Sequence, residues 1–173
     1  GERTTLSSQK PTRDGYTFVN WKDADTNDTY SAGQSITRTT SPRLLAQWRD
    51  TQAPVIGYTP TQVMTGNTDA AVKAAVEAAL TITDNEPVSE CTVTVTVPAN
   101  FTKTPGNKDV TVTVTDKAGN TATKNCTVYV SSYVSILKPT FTKSTQILKA
   151  TLKNPGTDKV TASGFVWGVM NSP

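Results

Sequence analysis

The sequence predicts a mainly β protein made of consecutive small modules, with one short helix. Valine and threonine alternate strictly in several segments, and clusters of Gly, Pro, Asp and Asn separate those segments. Alternation with a period of two is typical of half-buried strands. A hydrophobic content of 35% suits several small two-layer modules better than one large core. Short strands at this spacing favour antiparallel β-sandwich architecture.

Three modules follow from these patterns. Residues 1–49 form a small β-module, and residues 50–131 form an antiparallel sandwich carrying the helix. Residues 132–173 form the start of a third β-module, which is truncated. Short linkers are predicted at 49–54 and 131–139, where they would limit bending between modules.

The N-terminal module is rich in aromatic residues. Tyr16, Phe18 and Trp48 alternate within predicted strands and can supply a core that few aliphatic side chains could. Core packing is therefore the favoured interpretation, and a carbohydrate-stacking platform at Trp21 or Trp48 remains the alternative.

Three strands of the middle module are predicted over 91–97, 110–116 and 126–130, each with valines on one face and mostly threonines on the other. The segment DKAGN joins the last two. Asp116 can accept hydrogen bonds from nearby backbone amides, and Gly119 can adopt the left-handed conformation that closes such a hairpin.

One segment of the middle module departs from the β pattern. TDAAVKAAVEAALTI, residues 68–82, predicts a short helix whose apolar face holds Val72, Val76, Ala79 and Leu80, and whose N-cap is Thr68 or Asp69. We expect this helix to lie across one end of the sandwich and to pack there.

In the alternation of their strands, Cys91 and Cys126 fall on the same face as the inward-facing valines, so both are expected to face the core. In a secreted domain this pattern predicts a disulfide. The alternative is a pair of buried reduced thiols that act as small hydrophobic groups.

The C-terminal module contains predicted strands at 147–153 and 159–168, with a turn at 154–156. Two or three strands do not bury a proper core alone. We therefore expect either that the parent protein continues past Pro173 or that this tail packs on its neighbour. We also expect the targeting and anchoring segments to lie outside this sequence.

Composition excludes several classes of function. The chain has no histidine, which removes the commonest general base and most zinc and iron sites. A net charge of +3 without an Arg-rich run argues against nucleic acid as a partner. No apolar run approaches the roughly 20 residues that span a bilayer, so membrane insertion is not expected. We predict no catalytic residues and no cofactor.

Structural calcium is the one metal that the sequence makes plausible. Asp50, Asp84, Glu86 and Asp116 lie at a linker or in turns, and sandwich turns cluster at two ends. Calcium there would bridge the carboxylates and stiffen a domain junction. The competing interpretation is ordinary turn capping by aspartate. DADTND, residues 23–28, lacks the Gly and Glu that an EF-type calcium loop requires, and is predicted to be a solvated hairpin tip.

The N-terminal third resembles the Listeria–Bacteroides repeat, also called the internalin B-repeat, through KPTRDGYTFVNW and LLAQW. The matching positions are Pro11, Gly15, Tyr16, Phe18, Trp21, Leu45, Ala46 and Trp48. Asn20 stands where that family often has Gly. The resemblance implies a small β-grasp-like unit used in tandem on bacterial surface proteins. Because the first strand of that family is here reduced to RTTLSS or missing, the resemblance also implies that the module in residues 1–49 is incomplete.

The middle of the chain resembles bacterial immunoglobulin-like domains of surface proteins, through DTQAPVI, LTITDNEP and VTVTVTDKAGNTAT. The C-terminal segment ILKATLKNPGTDKVTASGFVWG resembles the opening of fibronectin-type-III-like domains. Both resemblances imply β-sandwich modules and neither implies a ligand.

These observations predict a non-catalytic stalk or adhesive segment of a larger bacterial cell-surface protein, located outside the cell. Its expected partners are neighbouring domains of the same polypeptide and a host or cell-wall glycan or protein. The alternative is a set of accessory modules of a secreted carbohydrate-active enzyme or peptidase whose catalytic domain lies outside this segment.

Overall fold

The fold is that of a computed structural model, which describes residues 1–132 and the backbone of four short strands within 135–153. One α-helix and fifteen strands are present in this part of the chain. The strands are β1 Glu2–Thr5, β2 Tyr16–Asp23, β3 Thr29–Tyr30, β4 Ser35–Arg38, β5 Leu44–Asp50, β6 Val55–Tyr58, β7 Thr61–Met64, β8 Leu80–Thr83, β9 Thr92–Thr96, β10 Gly106–Thr115, β11 Thr121–Ser131, β12 Ser135–Ile136, β13 Thr140–Thr142, β14 Ile147–Lys149 and β15 Leu152–Lys153. The prediction of a mainly β protein with one short helix is confirmed.

The chain divides into two compact units. The first comprises Gly1–Gly57, Thr81–Thr94 and Val112–Lys124. The second comprises Tyr58–Leu80, Val95–Thr111 and Asn125–Pro173, of which only the described residues are discussed.

The N-terminal part of the first unit holds two small sheets. Strand β2 pairs antiparallel with both β3 and β5, and β1 pairs antiparallel with β4. A register shift lies between Phe18 and Asn20, so Val19 bulges outward and is 54% exposed. The bulge places Phe18 and Trp21 on the same side, where their rings lie 5.1 Å apart. Trp48 packs edge-on to Phe18 at 6.0 Å, which supports core packing for these aromatic residues.

A four-stranded sheet with the order β7-β11-β10-β9 contains the alternating segments. The predicted valine faces are buried: Val110, Val112, Val114, Val128 and Val130 are inaccessible to solvent. Burial of each such side chain contributes roughly 1.5 kcal/mol or more. Strand β7 runs parallel to β11, and in this pair the sheet departs from the antiparallel sandwich that the sequence predicts. Parallel pairing is feasible because a long stretch of chain connects the two strands.

The turn between β10 and β11 forms as predicted. The amide of Asp116 donates to the carbonyl of Asn120 at 3.0 Å, and Gly119 has φ of +92°. On the outer face, threonine hydroxyls pair across the hairpin, as in Thr113 with Thr123.

The helix α1, Asp69–Ala78, is shorter than predicted. The hydroxyl of Thr68 accepts the amide of Ala71 at 3.2 Å and is the N-cap. Val72 and Val76 are fully buried, and the helix packs against β7. Residues 80–83 form strand β8 and pair with β6, because the run Leu-Thr-Ile-Thr has the period of a strand and β-branched side chains.

The predicted disulfide is wrong: Cys91 and Cys126 are not joined to each other. Cys91 directly precedes β9, and Cys126 lies in β11, with β10 between these strands in the sheet. Two strand spacings amount to about 9.6 Å, whereas a disulfide needs Cα atoms within about 7 Å. Both cysteines are turned toward the interior as predicted, with Cys126 buried and Cys91 half-buried.

The C-terminal segment contains two antiparallel ladders. Strand β12 pairs with β15, and β13 pairs with β14. The predicted strand at 159–168 and the turn at 154–156 lie outside the described residues. In the part of the chain that is described, no helix combines the length and apolar character needed to cross a bilayer.

Candidate metal centre

Three aspartates meet at the ends of strands in the first unit. Asp50 is the last residue of β5, Asp84 directly follows β8, and Asp116 directly follows β10. Aspartate is favoured at such positions because its carboxylate accepts hydrogen bonds from the amides of the turn. The centre therefore connects the N-terminal sheet to turns that come 34 and 66 positions later in the sequence.

Each aspartate offers one carboxylate oxygen, and these three oxygens lie within 4.8 Å of one another. Asp50 and Asp116 are 7% and 6% exposed, and Asp84 is half-buried as a whole residue. Three like charges at this separation repel, and the repulsion is stronger beneath the surface than in water.

Turn capping accounts for two of the three carboxylates. Asp50 Oδ1 accepts the amide of Gln52 at 3.0 Å and the side-chain amide of Asn85 at 2.9 Å. Asp116 accepts the backbone amide and the side-chain amide of Asn120, each at 2.8 Å. The side-chain amide of Asn120 also lies 3.4 Å from Asp50 Oδ2.

Asp84 is different. Both of its carboxylate oxygens are buried, and neither has a hydrogen-bond partner among the described residues. A buried polar group without a partner loses its hydration with no compensation, which costs about 1–3 kcal/mol and more for a charged group. Such groups in folded proteins call for a specific explanation, of which a bound ion is one. Turn capping does not explain Asp84.

The protonation behaviour of Asp116 reflects opposing influences. Burial raises the pKa of Asp116, but hydrogen bonds from the side chain and backbone of Asn120 and from the amide of Gly119 lower it by more. A further hydrogen bond with Asp50 lowers the pKa as well, so the net pKa lies below the usual value. Asp116 is therefore poised to remain a carboxylate, the form that binds cations.

The remaining predicted member, Glu86, is not part of the cluster. Its carboxylate accepts the hydroxyl of Tyr16 at 2.5 Å, and this bond raises the pKa of the Tyr16 hydroxyl. Tyr16 also lies under the guanidinium of Arg13, 3.7 Å from the ring centre. Glu86 thus fixes the N-terminal sheet to the loop after β8 through Tyr16.

The other acidic segment, 23–28, forms a tight turn, as expected of a hairpin tip. Asp23 itself is buried, contrary to the expectation of a solvated tip. Its Oδ1 accepts the amide of Asp25, and its Oδ2 lies 2.6 Å from Nη2 of Arg38. Within the described part of the chain, Oδ2 accepts no hydrogen bond of good geometry. We nevertheless regard its charge as compensated, because an ion pair at this distance is short. The backbone bond from Asp25 is the main cause of the lowered pKa of Asp23.

The centre also contains two asparagines, which were not among the residues predicted from the sequence. Asn85 and Asn120 each direct a side-chain amide at the carboxylates. The available signal was local: Asn85 is adjacent to Asp84, and Asn120 ends the DKAGN turn that Asp116 begins.

No family model matches the chain, and a search of curated proteins finds no match.

Proposed function

We propose that this chain is a non-catalytic stalk or adhesive segment of a larger bacterial cell-surface protein, which spaces and presents neighbouring domains of the same polypeptide. The observation that carries the proposal is a joint in the first unit, where the N-terminal sheet is fixed at several points to the segments that follow it. A spacer must resist bending at such a joint, because a freely jointed chain presents its terminal domain at no defined distance.

The joint consists of specific polar contacts on both sides of Thr51. The amide of Thr51 donates to the carbonyl of Gly15 at 2.9 Å, which folds the linker back on the N-terminal sheet. The hydrogen bonds from Tyr16 to Glu86 and from Asn85 to Asp50 attach the loop after β8. Several contacts at different points restrain rotation as well as separation.

The β-sheet architecture agrees with this role. Threonine-rich outer faces keep long strands hydrated, and buried valine faces give the sheets their stability. The resemblances to B-repeat and immunoglobulin-like modules support a location outside the bacterial cell. In chain order, β7 is the first and β11 the last strand of the four-stranded sheet. Their parallel pairing supports an immunoglobulin-like sandwich for residues 50–131.

The proposal is tested by measuring the stiffness of the joint. Spin labels at Val19→Cys and Ser89→Cys, both exposed sites of the first unit, report the distance across it in a Cys91→Ala background. The buried native Cys126 is expected to stay unlabelled. A narrow distance distribution is expected, and insertion of the four residues Gly-Ser-Gly-Ser after Thr51 should broaden it. A distribution as broad without the insertion as with it would rule out a stiff spacer.

The adhesive role is tested separately with arrays of glycans and of host extracellular proteins. Specific binding would assign the segment a ligand of its own, whereas its absence would leave spacing and presentation as the function.

A further inference from the structure

We propose that Asp50, Asp84 and Asp116 form a binding site for a single calcium ion. Two observations carry this inference independently. One is the convergence of three carboxylate oxygens within 4.8 Å. The other is the buried carboxylate of Asp84, for which the described part of the chain offers no hydrogen-bond partner. The binding itself does not depend on the proposed spacer function, and only its mechanical consequence does.

The geometry suits one shared ion. Calcium binds oxygen ligands at 2.3–2.6 Å, so two ligands of one ion lie at most about 5 Å apart. The three oxygens satisfy that condition together. An ion between them would replace mutual repulsion by attraction and would supply Asp84 with its missing partner.

Turn capping is the competing explanation, and it accounts for only part of the arrangement. Asp50 and Asp116 accept hydrogen bonds from turn amides, whereas the buried carboxylate oxygens of Asp84 accept none from the described residues. A divalent cation would satisfy all three carboxylates at once.

The chemistry of the donors selects calcium among the common divalent cations. All three donors are carboxylate oxygens, whereas zinc sites are built mainly from cysteine and histidine, and this chain has no histidine. Magnesium demands near-ideal octahedral geometry at 2.0–2.1 Å and keeps most of its water. Calcium tolerates irregular geometry and takes six to eight oxygens, of which bidentate carboxylates can supply several.

Asn120 can complete the coordination. Its side-chain amide now donates to the carboxylates of Asp50 and Asp116, which compensates their charge. With calcium bound that compensation is no longer needed, and a half-turn of the amide would present Oδ1 to the ion. Water would supply the remaining ligands.

The position of the site gives the ion a mechanical role that rests on the proposed spacer function. Asp50 belongs to the last strand of the N-terminal sheet, whereas Asp84 and Asp116 follow β8 and β10. An ion held by all three would clamp the joint and would make its stiffness depend on calcium.

The test uses the full chain and compares Asp84→Asn with Asp25→Asn, which removes the same charge from an exposed position at the hairpin tip. Calorimetry should show one calcium per chain with a dissociation constant of about 10⁻⁴–10⁻³ M, the range of extracellular calcium modules. Asp84→Asn should weaken binding at least tenfold, and Asp25→Asn should leave it unchanged. Magnesium should bind more weakly than calcium.

Thermal melting supplies a second readout, because calcium should reverse which of the two proteins has the higher melting temperature. In EDTA, Asp84→Asn should melt above the wild type, because it removes an unpartnered buried charge. In 10 mM calcium the melting temperature of the wild type should rise by about 3–10 °C and exceed that of the variant. No heat and no melting shift at 10 mM calcium, or wild-type binding by Asp84→Asn, would overturn the inference. If calcium binds but the distance distribution between the two spin labels is broad, the site is upheld and the spacer function is refuted.

Discussion

Substitution of Gly15 by alanine tests how closely the joint of the first unit is packed. Gly15 has φ of +76°, in the left-handed region that favours glycine. A Cβ atom at this position would lie 2.8 Å from Oε1 of Gln52 and 3.3 Å from Nδ2 of Asn85. Both neighbours belong to the environment of Asp50, so the added methyl group disturbs the joint as well as the local backbone.

Gly33 is a matched control for the backbone contribution. Its φ is +77°, and the nearest atom to an added Cβ is Cβ of Ser8 at an ordinary 3.5 Å. Alanine in the left-handed conformation costs about 1–2 kcal/mol at either position. At Gly15, the displaced Asn85 also weakens its hydrogen bond to Asp50, which adds about 1 kcal/mol. We expect Gly15→Ala to destabilise by about 2–3 kcal/mol and Gly33→Ala by about 1–2 kcal/mol.

Urea denaturation followed by tryptophan fluorescence measures both variants. Trp21 and Trp48 lie in strands β2 and β5 of the N-terminal sheet, so they report on the part of the chain that contains both glycines. Equal losses in the two variants, within about 0.3 kcal/mol, would show that the approach of Gly15 to Asn85 contributes nothing to the joint.

Three further predictions concern the helix, the valine core and Cys91. Thr68→Ala should cost about 1 kcal/mol in urea denaturation through loss of the N-cap bond, and Thr68→Ser should restore most of it. Val112→Ala should lower the free energy of unfolding by about 2–3 kcal/mol because it leaves a cavity in the core. Val19→Ala, at an exposed bulge, should change it by no more than about 0.5 kcal/mol. Similar losses in the two variants would contradict the assignment of buried and exposed faces. Burial, followed by the charge of nearby aspartates, raises the pKa of the Cys91 thiol. The stability that this neutral thiol contributes is present below its unfolded pKa of about 8.5 and is lost as the pH rises through the folded pKa. Melting curves from about pH 8 to pH 10.5 should therefore fall more steeply for the wild type than for Cys91→Ala, and parallel curves would refute the shift.

Local pattern was sufficient for most of the strands and for the start of the helix. Alternating valines identify buried faces because strand side chains alternate by geometry, and Val110 through Val114 follow that rule. Thr68 identifies the helix start because capping is a contact within four residues. The end of the helix was misplaced because Leu80 and Ile82 fit either period, and pairing of β8 with β6 decided between them.

The candidate metal centre could be predicted only in part. Strand ends identified Asp50, Asp84 and Asp116 as residues of turns or linkers, but Glu86 satisfied the same criterion and binds Tyr16 instead. Asn85 and Asn120 join the centre through side chains whose direction no local pattern specifies.

The amino-acid sequence alone determined the class of the protein, the inward faces of its long strands and the positions of its turns, since each depends on neighbours within a few residues. The tertiary structure alone decided that β10 separates the strands near the two cysteines, that β7 runs parallel to β11, and that three distant aspartates converge. These outcomes depend on which strands become neighbours, and strand order is set by burial of the whole sheet and not by the residues of any one segment.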